Sequence, residues 1–134
     1  DVWLLADAGY STYSTLIEAM DSTITGKPEV VKCFVEGAIK GWYSYLYGDN
    51  AAANAMIKKD NPDMTDEQIA FGIGEMKAKG IVDSGDTETK GIGVMTDAHV
   101  KDFFDKMAAA GVLPADLDYK AAYTLDFVGK GVGM

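Results

Sequence analysis

The feature that most constrains this chain is the run from Pro28 to Tyr47. There Val31, Phe34, Val35, Ala38, Trp42, Tyr45 and Leu46 recur at steps of three and four residues. That spacing lays one apolar face along an α-helix and suits no strand, whose side chains alternate with a period of two. Pro28 fits the first helical position, Glu29 the first turn beside the positive end of the helix dipole, and Gly48 the stop. Trp42, Tyr43, Tyr45 and Tyr47 on this helix suggest an aromatic cage, but at helical spacing they divide between core and surface. Cys33, the only cysteine, lies on the apolar face and reads as a small buried hydrophobe.

Further helices follow. Asp49 caps a segment predicted to reach Lys59, stopped by Asn61-Pro62. In "TDEQIAFGIGEMKAKG" Thr65 and Gln68 form a capping box, Ile69, Ile73 and Met76 share a face, and Gly80 is the left-handed terminator. Gly72 and Gly74 weaken that helix by roughly 1 kcal/mol each relative to Ala, which predicts close packing against another element. Residues 83–93 read as a polar loop. Thr96 caps a helix through Ala110 with Val100, Phe103, Phe104 and Met107 on its buried edge, and Gly111 ends it. A last short helix is expected near residues 121–129.

Ahead of the helices, "VWLL" (residues 2–5, including Val2, Trp3, Leu4 and Leu5) and "YSTLIEAM" (residues 13–20) read as two short strands. A lone strand pair is marginal in water, so both read as parts of a larger sheet whose other strands lie outside this chain. The start at Asp1, with no Met, points the same way. The expected fold class is therefore an α/β family fragment, predominantly α here, with about five helices and two short N-terminal strands.

Charge and chemistry narrow the function. Against 12 Lys stand 15 Asp and 6 Glu, for a formal charge of −9. This balance disfavours nucleic acid and anionic membranes as partners. There is no Arg, hence no bidentate fork for carboxylates, sulfonates or phosphates, so a site built from these residues favours neutral or mildly polar ligands. His99 stands alone and reads as a surface or capping histidine; no metal set is expected. Asp83, Asp86 and Glu88 hint at a calcium loop, but Glu88 occupies the position where an EF-hand needs Gly. No phosphate loop, nucleophile elbow or catalytic dyad is present, so neither an enzyme nor a cofactor is expected. No run reaches the ~20 apolar residues of a membrane span.

The joined motifs "LLADAGYSTYST", a Lys-Pro-Glu helix start, "GWYSYLYGD", "KKDNPDMTDEQIAFGIGEMKAKGIVDSGD" and "GIGVMTDAHVKDFFDKMAAAGVLPADLDYKAAYTLDFVGKG" cover nearly the whole chain. The chain resembles the C-terminal part of substrate-binding proteins of ABC importers, in the no-message-in-thiamine and SsuA-like branch with a type II periplasmic-binding-protein fold. The resemblance implies two α/β lobes closing on a ligand, with residues 1–26 as crossover or hinge strands and residues 27–134 as the helical part of the first lobe. It implies a small-molecule ligand, heteroaromatic and pyrimidine- or flavin-precursor-like, an ABC permease in the membrane as partner, and the N-terminal half of the same protein. The location implied is periplasmic or extracellular, lipid-anchored in a Gram-positive cell.

On that reading "DAGYSTYST" lies beside the cleft: Tyr10 or Tyr13 stacks on the ligand ring, Ser11, Ser14 and Thr15 meet its polar atoms, and Asp7 accepts a ligand N–H or shapes a turn. The same Tyr-Ser-Thr run also suits an edge strand and turn. Two alternatives stay open. One is a thiamine-pyrimidine synthesis enzyme of the same fold. The other is a helical module that forms a homodimer through Val2, Leu4 and Leu5 where a sheet is missing.

Overall fold

A computed structural model describes residues 3–134. Among them the regular elements are all helical: α1 (Asp21–Gly26), α2 (Pro28–Tyr47), α3 (Ala51–Asp60), α4 (Asp66–Ala78), α5 (Thr87–Lys90) and α6 (Asp97–Ala109), with 3₁₀ turns at Leu5–Ala8 and Tyr119–Ala122. No strand occurs among the described residues, which overturns the α/β expectation and its two N-terminal strands. Val2 lies outside the described residues. Trp3 is exposed, and Leu5 opens a 3₁₀ turn that Gly9 ends at φ 91°. Residues 13–20 run without a ladder, with Leu16, Ile17 and Met20 exposed. Both segments are β-tolerant by composition, but a strand is stable only where a neighbouring strand takes its N–H and C=O groups, and no described segment does so.

The long helix forms as its punctuation dictates, with Pro28 at its start and the Gly48 amide bonding back to Ser44. Its buried ridge is Val31, Val35, Ile39 and Leu46. Phe34 and Trp42 face outward, and so does Cys33, contrary to its reading as a buried hydrophobe. Apolar weight drew the expected face toward the large aromatic side chains. The i, i+4, i+8 ridge of β-branched Val31, Val35 and Ile39 is what meets the rest of the chain. Ile24 of α1, Tyr43, and Phe127, Val128 and Val132 of the C-terminal segment pack against that ridge.

A second contact joins the Tyr119–Ala122 turn to α6. Phe104 stacks on Tyr119 with ring centroids 4.5 Å apart. Ile92 and Val94 are buried, and the Ile92 amide donates to the Tyr43 hydroxyl at 3.1 Å, which ties this loop to α2.

The capping reading holds for α4. Thr65 Oγ1 accepts from the Gln68 amide at 3.2 Å while Gln68 Oε1 accepts from the Thr65 amide at 2.8 Å. The α3 cap falls on Asn50, yet Asp49 Oδ1 still accepts from the Ala51 amide. Gly80 takes φ 58° as expected of a terminator. Gly72 and Gly74 are not packing sites, since a Cβ on either meets nothing within 4 Å. The polar loop at 83–93 contains the single turn α5, and the helix expected at 121–129 is replaced by the 3₁₀ turn at Tyr119–Ala122 and an irregular tail. Gly129, Gly131 and Gly133 all take positive φ in that tail, where an α-helix cannot continue.

Candidate functional site

The N-terminal arm meets α6, and there three of the six expected site residues, Tyr10, Ser11 and Tyr13, come together. Thr96, in extended conformation, caps α6: its Oγ1 accepts from the His99 amide at 3.3 Å and donates to Asp86 Oδ2 at 2.9 Å. The helix then sets His99, Asp102, Phe103 and Lys106 along one flank, at the i, i+3, i+4 and i+7 positions that share a face. Residues 10–13 lie across this flank.

Tyr13 stacks on His99 with centroids 4.3 Å apart and planes 22° off parallel, and its hydroxyl accepts from the Thr96 amide at 3.0 Å. Tyr10 meets Phe103 edge-on at 5.5 Å and keeps 42% of its surface open. Between the two rings, Ser11 Oγ donates to Asp102 Oδ2 at 3.1 Å. Lys106 Nζ donates to both Ser11 Oγ at 2.9 Å and Asp102 Oδ2 at 2.6 Å. The result is a platform with an aromatic contact at each end and a charge-compensated polar row between them.

The electrostatics follow from these bonds. The Lys106 ammonium first, and the Ser11 hydroxyl next, hold the Asp102 carboxyl below its usual value. A lowered carboxyl contributes stability above its ordinary pKa and loses that contribution as pH falls through the lowered one, so the Lys106–Asp102 pair within α6 and the Ser11 bond from the arm are expected to weaken in acid. His99 Nε2 is buried with no hydrogen-bond partner among the described residues.

The remaining sequence candidates stand apart from the platform. Ser14 and Thr15 are exposed and make no side-chain hydrogen bond among the described residues. Asp7 is exposed within the Leu5–Ala8 turn, its amide donating to the Leu4 carbonyl at 3.1 Å. Asp83 and Asp86 accept from hydroxyls: Asp83 from Tyr47 at 2.7 Å and Thr87 at 2.6 Å, and Asp86 from Thr96. Of the aromatic residues on α2, Tyr43 serves the core, while Trp42 and Tyr47 are exposed. Sequence reasoning missed His99, Asp102 and Lys106 as partners of the arm. Their shared flank on α6 was readable as a spacing, but nothing in one sequence pairs that flank with residues 10–13.

Two measurements probe the platform and its surroundings. Replacing Tyr13 by Phe keeps the ring and removes the acceptor of the Thr96 amide, at an expected cost of about 1–2 kcal/mol. Hydrogen exchange should then be faster at Thr96, with α2 amides unaffected. At the start of α6, Tyr123 donates to Asp97 Oδ1 at 2.5 Å, and this bond, aided by partial desolvation and the carboxylate charge, pushes its phenol up to about 12. A raised phenol stabilises the fold fully below its ordinary value of about 10 and loses that contribution as pH climbs toward the raised one. Absorbance titration should show a late-ionising tyrosine that disappears in Tyr123→Phe, along with part of the loss of stability in that pH window. Tyr47, raised chiefly by its bond to Asp83, remains in the variant as an internal reference.

Comparisons with protein-family models, with curated proteins and with solved structures find no match.

Proposed function

We propose that this chain is part of the solute-binding component of an ABC importer. In this reading it captures a small, neutral, ring-containing solute outside the cytoplasm and presents it to a membrane permease, without chemistry. The observation that carries the reading is the Tyr10–Tyr13 arm laid on α6 with the open ring of Tyr10 beside the Ser11–Asp102–Lys106 row. An open ring can stack on a heteroaromatic ligand, a contact worth about 0.5–1.5 kcal/mol beyond the area it buries. The polar row can accept and donate at the ligand edge for about 1 kcal/mol net per bond. Because Lys106 is already paired with Asp102, the row carries little net charge toward a ligand, in keeping with the absence of Arg. Tyr13, committed to His99 and Thr96, orients the arm, while Asp7, Ser14 and Thr15 stay free for the rim of a cleft whose opposite wall another lobe supplies. The motif resemblance supports the same function.

The test is calorimetric titration of the longer parent protein with pyrimidines, flavins, amino acids and sulfonates. One ring-containing neutral class should bind, and Tyr10→Ala should weaken it about tenfold, the equivalent of ~1.4 kcal/mol. Failure of every class to bind, or full affinity in Tyr10→Ala, refutes the assignment.

A further inference from the structure

The outward face of α2 has a chemistry that the interior of the chain does not use. Opposite the buried ridge, at 100° per residue, runs a seam of Cys33 and Gly37. On one side of the seam stand Val30 and Phe34, 58% and 65% exposed, with Gly41 in line. On the other side, in chain order, stand Glu29, Lys32, Glu36 and Lys40, none of them in an ion pair among the described residues. A shallow open groove follows the seam and this charged row. Gly37 and Gly41 disfavour a helix interior, and a Cβ on either meets nothing within 4 Å, so packing within one chain gives no reason for them.

We propose that this face docks a second copy of the same face in antiparallel orientation. The charge order selects both partner and direction. A two-fold axis perpendicular to two antiparallel helices returns each flank to its own kind, so Val30 and Phe34 meet their counterparts and the charged row meets itself reversed. Reversed, Glu29 falls opposite Lys40 with a midpoint at 34.5, and Lys32 falls opposite Glu36 with a midpoint at 34. One register therefore sets unlike charges opposite each other along the row, with Glu29 and Lys40 nearest the seam. A parallel pair would instead set the apolar flank against the charged row. Small residues along the seam let the two backbones approach closely, and like charges placed opposite each other would oppose any shift by a turn.

In this register the two Cys33 residues lie beside the two-fold axis, offset from each other by about 3–4.5 Å along the helix direction at the 1.5 Å rise per residue of a helix. With the helix axes about 8 Å apart, as the small seam residues allow, and Cα atoms about 2.3 Å from each axis, the Cα–Cα separation is about 4.5–5.6 Å, inside the range of about 4.4–6.8 Å that a disulfide needs.

Sedimentation equilibrium of the chain over a concentration series, with mild oxidation followed by denaturing electrophoresis, tests the proposal. The expected result is a reversible dimer that oxidation traps through Cys33, with Cys33→Ser giving no covalent product. Glu29→Lys should weaken association about tenfold, because each of two symmetry-related pairs turns repulsive. Combining it with Lys40→Glu should restore the wild-type constant. Circular dichroism confirms that these exposed substitutions leave the helices intact. A chain that stays monomeric throughout, a dimer with no Cys33 product, or a double reversal as weak as the single one overturns the proposal. The inference is independent of the receptor reading: ligand titration of the parent and association of this face fail or succeed separately.

Discussion

Ile39→Ala is expected to cost the chain about 2–5 kcal/mol, the range for emptying a large aliphatic site in a core that cannot fully collapse around the gap. Ile39 is 6% exposed and sits in the ridge with Val31 and Val35, against which Ile24, Phe127, Val128 and Val132 pack. It thus joins three parts of the chain: α1, α2 and the irregular C-terminal tail. Net stabilities of single domains are only about 5–15 kcal/mol, so the loss takes a large share of the total. Urea unfolding should show a lower midpoint with an unchanged slope, measured at concentrations low enough to keep the chain monomeric. Phe34→Ala, on the outward face, is the control and should change stability by no more than about 0.5 kcal/mol. Equal costs for the two would mean that α2 buries the other face.

The second large effect is expected at Gly93. Its φ is 83°, and a Cβ built there would lie 2.9 Å from Ile39 Cγ1 and 3.2 Å from Ile39 Cδ1. Gly93→Ala therefore combines about 1–2 kcal/mol for a left-handed backbone with a side chain and about 1–3 kcal/mol for overpacking the core. The two parts can be separated. In the Gly93→Ala, Ile39→Ala double variant the steric part vanishes while the backbone part remains, so the combined cost should fall short of the sum of the singles by about 1 kcal/mol or more. Strict additivity would show that the loop carrying Gly93 does not press on α2.

These two sites also mark what could be read in advance. The ends of α2, the reciprocal cap on α4, the Thr96 cap on α6 and the left-handed Gly80 were all legible. Each depends on residues within about four positions of one another, and local backbone chemistry settles it. The orientation of α2 was not. Periodicity located an apolar stripe but weighted it by side-chain size, so Phe34 and Trp42 stood in for Ile39. Nor could Gly93 be singled out among 15 glycines, because its constraint comes from a side chain 54 positions earlier. The candidate site divides the same way. Tyr10, Ser11 and Tyr13 drew attention by their own chemistry, whereas His99, Asp102 and Lys106 acquired a role only when the arm crossed α6.

The strands at 2–5 and 13–20 went wrong for a related reason. β-propensity measures fit to a pleated, half-buried surface that another strand must provide, and within the described residues none does. By itself, then, the sequence determined where helices begin and end, the acidic balance and the Arg-free chemistry, since those are properties of short stretches or of composition. Only the tertiary structure decided which face of α2 is core, that the chain's described part is all-helical, and that Tyr13 rests on His99. Those outcomes depend on which distant groups come to share one desolvated volume, and that is a property of the whole folded chain.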